Sequence, residues 1–148
     1  MPDGASVAVV IPSCAASERL ARCLEALGAQ TLRPGEVMGV LLKRVPMAEA
    51  QARWPWVRFL RCPNPPSFCR VVNTGIAATK APWVLLLNDD VSAEPAFLER
   101  LLDGAPDDPR IGMVCGKLLS ADGRRFDSAG SGQAGHGASR DILTEVHT

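Results

Sequence analysis

The segment Trp83-Val84-Leu85-Leu86-Leu87-Asn88-Asp89-Asp90 does most to restrict what this chain can become. Five apolar residues run without a break into an Asn and two adjacent carboxylates. So short a continuous apolar run reads as a strand buried on both faces, as in a parallel sheet. Acids are not tolerated inside such a strand, but they are at its carboxyl end, where open α/β sheets bind their ligands. Two carboxylates in a crevice repel one another and are costly to desolvate unless a cation lies beside them. Hard oxygen donors suit Mg²⁺ or Mn²⁺, ions that commonly hold substrate phosphates. The same triplet is also good turn and helix-cap chemistry, so on these residues alone a metal site and a plain turn both stand.

The remaining pattern alternates strands with helices. Val7 to Ile11, Val37 to Leu42 and Val57 to Arg61 read as strands, and Ile111 to Leu119 as a later one. Between them Leu20, Cys23, Leu24 and Leu27 recur at helical spacing behind a candidate N-cap, Ser17. Further helices are expected at Met47 to Arg53, at Phe68 to Ala78 with Val71, Val72, Gly75 and Ile76 on one side, and behind Pro95 with Phe97, Leu98, Leu101 and Leu102 inward. Gly39 weakens its strand slightly, and Asp122-Gly123 marks a turn. The expected fold is a three-layer α/β/α sandwich around a mostly parallel sheet. Residues 1–127 form its domain, and the Gly-rich segment 128–148 is expected to be a loose tail.

Composition excludes several functions. The 148 residues fit one domain, and 47% hydrophobic content supplies its core. Sixteen basic residues balance sixteen acidic ones and Tyr is absent, which argues against nucleic acid as a partner. The five cysteines contain no Cys-x-x-Cys pair; Cys14, Cys23 and Cys115 lie in or beside apolar segments and are expected to be buried reduced thiols of a cytoplasmic protein. No basic stretch precedes the first apolar run, so a signal peptide is not expected, and no transmembrane segment is either. Gly130 to Gly135 matches a Gly-x-Gly-x-x-Gly pattern, but no buried strand leads into it, so it is read as chance. Trp54-Pro55-Trp56 is read as the cap of a core edge rather than a sugar platform.

Taken in order, the motifs resemble the family 2 glycosyltransferases of the GT-A fold, which are Rossmann-like. Carrying the resemblance are Val9-Val10-Ile11-Pro12, Leu20 to Leu27, Gln30-Thr31, Pro34, Asn64, Asn73-Thr74-Gly75-Ile76 and Leu85 to Asp90. Pro95, Phe97-Leu98, Gly116-Lys117-Leu118-Leu119, Asp122-Gly123 and Ala129-Gly130 are similar to its rhamnosyl- and galactofuranosyltransferase-like branch. The resemblance implies a nucleotide-sugar donor, UDP- or dTDP-linked, held through its diphosphate by Mg²⁺ or Mn²⁺. It places Asp90 and Asn88 at the metal, and Pro12, Ser13, Asn73, Asn88 and Asp89 at the donor. A cation there would stabilise the charge that gathers on the leaving nucleoside diphosphate.

Two departures qualify the expectation. At the end of the second strand, where the family usually carries an Asp for the base, stands Val40-Leu41-Leu42-Lys43-Arg44. The resemblance also stops near Gly130, so the chain is expected to hold the donor-binding half without the acceptor half. Asp141 and Glu145 are the only late carboxylates, and neither is assigned as the general base that transfer requires. The primary expectation is sugar transfer from the bound donor; the alternative is a non-catalytic nucleotide-binding or interaction module of the same fold. An uncovered apolar flank of a shortened sheet would invite a second copy or a partner chain.

Overall fold

The computed structural model describes residues 3–14, 17–42, 46–63, 67–104, 110, 112–120, 122–128, 131–133 and 139–141. The chain divides into two compact units, Met1–Leu102 and Asp103–Thr148.

In the first unit β1 (Val7–Ser13), α1 (Glu18–Gly28), β2 (Glu36–Leu41), α2 (Met47–Arg53), β3 (Arg58–Arg61), α3 (Phe68–Ala78), β4 (Trp83–Leu86) and α4 (Phe97–Asp103, its last residue beyond the unit boundary) follow in order. The four strands form one sheet in the order β3-β2-β1-β4, and all three pairings are parallel. The α/β class expected from the alternating pattern is therefore the class observed. The helices expected at Met47 to Arg53 and Phe68 to Ala78 are α2 and α3, and Ser67 caps α3 by accepting the Arg70 amide proton at 3.3 Å. Ser17 holds the N-cap position of α1, but its side chain makes no capping bond.

Each strand's side chains alternate between the two faces. Val9, Ile11, Val37, Leu41 and Phe59 pack with Leu20, Leu24 and Leu27 of α1 and with Ala50 and Trp54 beside α2. Ala8, Val10, Met38 and Val40 pack on the other face with Val71 of α3. Two glycines set these distances. A Cβ on Gly39 would lie 2.6 Å from the Phe59 ring, so the residue that weakens β2 by propensity makes room for an aromatic core residue. A Cβ on Gly75 would collide with Val10, so its absence lets α3 lie close against β1 and β2. Trp54 is buried, beneath the guanidinium of Arg53 at 4.6 Å, whereas Trp56 is largely exposed.

Seating α3 over β1 and β2 leaves β4 uncovered on that face. Val84 and Leu86 are 36% and 44% exposed, and Ile76 on α3 is 43% exposed. The expectation of a strand buried on both faces is corrected here: only the Trp83 and Leu85 side packs, against Val7, Leu98 and Leu102. The thiols need correction as well. Cys23 and Cys62 are buried, but Cys14 lies just past the last residue of β1 and is exposed, as is Cys115.

In the second unit β5 (Leu118–Leu119) pairs antiparallel with β6 (Phe126–Ser128), and β7 (Ser131–Gln133) with β8 (Ser139–Asp141). The turn at Asp122-Gly123 is present: Gly123 has φ +69°, and its amide donates to the Ser120 carbonyl at 2.7 Å. Ser120 donates to the Asp122 carboxylate at 2.6 Å, and this bond, with the Arg124 amide, holds that carboxyl below its ordinary range. The long strand expected over Ile111 to Leu119 is reduced to its last two residues, and Met113 is 85% exposed. An apolar run can supply a strand's side chains, but it does not supply a partner strand.

Candidate functional site

Sheet order alone selects one location. From β1 the chain builds outward through β2 to β3, and then α3 carries it back to place β4 on the other side of β1. The strand order reverses between β1 and β4, and in open α/β sheets the crevice beyond the carboxyl ends at such a reversal is where ligands bind. The residues found there are Pro12 and Ser13 at the end of β1 and Asn88-Asp89-Asp90 just beyond β4.

The acidic segment is fixed from below. The Leu87 amide donates to the Val10 carbonyl at 3.1 Å, which extends the β1–β4 pairing past the strand. The chain then turns, with the Val91 amide donating to the Asn88 carbonyl at 3.2 Å. The Ser13 hydroxyl, on a residue only 3% exposed, donates to Oδ2 of Asp89 at 2.6 Å. Beneath the turn the buried Cys23 thiol of α1 points to the Asn88 carbonyl at 3.7 Å. Burial, followed by the negative charges of Asp89 and Asp90, pushes that thiol from 9.0 up to about 12. Cys23 therefore stays a neutral floor at physiological pH, and both carboxylates bear on it. Asp89 is half-buried, while Asn88 and Asp90 are exposed.

The far side of the turn is held by residues that sequence reasoning left without a role. Gln30, 5% exposed at the end of α1, donates through Nε2 to the Ala26 and Glu94 carbonyls at 3.2 and 2.7 Å, and its Oε1 accepts the Leu98 amide proton at 3.0 Å. The Thr31 amide donates to the Pro95 carbonyl at 2.8 Å and its hydroxyl to Glu99 at 2.7 Å. The Gln30-Thr31 pair was visible as a motif; what hid its role is that the side-chain bonds to Glu94, Leu98 and Glu99 reach more than sixty residues along the chain.

The structure thus gathers Ser13, Asn88, Asp89 and Asp90 with Pro12 on one edge. Asn73 stands apart, exposed midway along α3. It lies two positions before the inward Gly75, and two helical steps rotate it by about 200°, away from the sheet. Leu42, in the segment Val40 to Arg44 that lacks the family's usual acid, is half-buried against the α3 core; Lys43 and Arg44 lie outside the described residues. Among the described residues no group of three or more His, Cys, Asp or Glu side chains forms a metal cage. A shallow concavity lined by Ala5, Val7, Gly35, Glu36, Thr79, Lys80 and Ala81 lies at the amino ends of the strands, the opposite edge from the acidic turn.

The family model for glycosyl transferase family 2 matches residues 44–141. Among solved structures, S. aureus TarS 1–349 superposes with a TM-score of 0.52 at 14% identity, over 66% of this chain and 30% of that one. A second S. aureus TarS structure gives 0.51 at 13%, over 66% of this chain and 19% of that one. At such identities the likeness is one of fold, and this chain spans less than a third of either structure's length. No curated protein matches the chain.

Proposed function

This chain belongs to glycosyl transferase family 2, and from that premise we propose that its first unit binds a nucleotide-diphospho-sugar at the carboxyl edge of β1 and β4 for transfer of the sugar to an acceptor. One observation carries the reading: the acidic turn is built at the single strand-order reversal of a parallel sheet, with Asn88 and Asp90 turned to solvent. Sheet order and acid placement arise independently, and both designate the same edge.

The donor set fits a hard divalent cation. Asp90 and Asn88 would supply two oxygen ligands for Mg²⁺ or Mn²⁺. Such an ion would take its remaining positions from a diphosphate and water. Bound there, the cation would neutralise charge on the departing nucleoside diphosphate. The chain's own residues hold the edge in place: Cys23 and Gln30 fix the turn from below and behind, and Pro12 offers a half-buried apolar surface beside it. With Leu42 half-buried against the core and no acid between Val40 and Arg44, the base is expected to be read by contacts other than a second-strand carboxylate.

Thermal unfolding against UDP, dTDP and GDP, each with and without Mn²⁺, tests the proposal. A ligand at one hundred times its Kd stabilises the folded state by about 2.7 kcal/mol. The expected result is a rise in midpoint with UDP or dTDP that requires Mn²⁺ and disappears in Asp90→Ala. A native protein that unfolds cooperatively and shifts with none of the three would overturn the donor site.

A further inference from the structure

The three residues of the acidic turn do not share one environment. Asn88 and Asp90 are exposed, while Asp89 is half-buried and already engaged. Its partner, Ser13, is rigidly placed: it ends a seven-residue strand, is in register with Leu41, and is 3% exposed. A hydroxyl donating to a carboxylate at 2.6 Å is a short, charge-assisted hydrogen bond.

We infer that Asp89 is the anchor of the acidic turn rather than a donor contact, and that Ser13 is a positioning residue that holds it inward so that Asn88 and Asp90 face outward. The inference rests on the proposed donor reading and divides the labour within it. Adjacent carboxylates repel, and without a partner for one of them the turn has no electrostatic reason to prefer either outward-facing acid. The Ser13 hydroxyl removes that degeneracy. It binds one Oδ of Asp89, and because the Asn88 carbonyl and the Leu87 amide are also engaged, the turn has few remaining ways to rotate. Groups that orient metal ligands from behind are commonly worth ten- to a hundredfold in metal affinity.

Two readouts on the full chain test this. Mn²⁺ binding in the presence of UDP or dTDP is followed by loss of the free-ion electron paramagnetic resonance signal, and amide hydrogen exchange is followed at Val91. Ser13→Ala is expected to weaken Mn²⁺ binding about tenfold and to speed Val91 exchange by a similar factor, leaving exchange at Val9 and Ile11 unchanged. Ser13→Thr, which keeps the hydroxyl, restores both. Asp89→Ala combined with Ser13→Ala loses less than the sum of the two single losses, because they share one bond. Independent, additive losses, or native Mn²⁺ affinity and native Val91 exchange in Ser13→Ala, would overturn the inference. A native chain that binds no Mn²⁺ with either nucleotide sinks the donor reading and the ligand half of the inference with it; the exchange result still decides whether Ser13 holds the turn.

Discussion

Gln30 accepts the amide proton of Leu98 through Oε1 at 3.0 Å, across sixty-eight residues of sequence, while its Nε2 donates to the Glu94 carbonyl. One buried amide therefore ties the end of α1 to the exit of the acidic turn and to the first turn of α4. Each buried backbone group left unpaired costs about 1–3 kcal/mol. Gln30→Ala is accordingly expected to lose roughly 2–4 kcal/mol in denaturant unfolding and to accelerate exchange of the Leu98 amide. Gln30→Glu, nearly isosteric, brings carboxylate oxygen against two carbonyls and is expected to be at least as damaging near neutral pH.

The Cys23 thiol gives a pH signature. In the folded chain it ionises near 12 rather than 9.0, held up by burial and by Asp89 and Asp90. Between these values the unfolded chain has released the proton and the folded chain has kept it, so stability falls as pH rises through that window. The slope from this group reaches about 1.4 kcal/mol per pH unit, and below the window it vanishes. Unfolding free energies of native protein and Cys23→Ala, measured from neutral pH upward, are expected to converge as the solution becomes alkaline. Parallel curves would show that the thiol is not held neutral.

At Gly75 helix propensity and packing oppose each other. Alanine in a helix interior gains about 1 kcal/mol over glycine. The added methyl, however, would meet the stiff Val10 and Val40 side chains, and overpacking costs about 1–3 kcal/mol. Gly75→Ala is expected to be net destabilising by thermal unfolding, and Gly75→Val more so.

The uncovered face of β4 and the α1 core are expected to respond differently. Leu86→Thr, on the uncovered face, should change stability by less than about 1 kcal/mol. Leu24→Ala, fully buried in α1, should cost about 2–5 kcal/mol in the same assay. Equal losses would mean that Leu86 is covered in solution.

How much of this could be read from residues alone follows from where each signal resides. Helical spacing in Phe68 to Ala78 and the apolar runs of β1 and β2 are local properties, and those elements appear where the spacing puts them. The carboxyl-edge position of Asn88-Asp89-Asp90 was equally legible, because an apolar run that ends in acids has few other placements. The exposure of Val84 and Leu86 was not legible. It depends on where α3 rests, and that is set by a missing Cβ at Gly75 meeting Val10. Cys14 and Cys115 misled because neighbouring apolar residues do not tell whether a strand continues. Ser13 and Asp89 were each singled out, but their hydrogen bond is a product of sheet order, which joins positions that composition and spacing treat separately.

The strand-order reversal also makes the acidic edge depend on a distant pairing. Ser13 and Asp89 are seventy-six residues apart, and the chain crosses back from β3 past β2 and β1 to bring them together. A chain that has assembled β1, β2 and β3 already owns much of its core, yet it has no acidic turn at that edge. The acidic edge thus exists only where β4 is paired with β1, so the site and the longest-range strand pairing of the sheet stand or fall together.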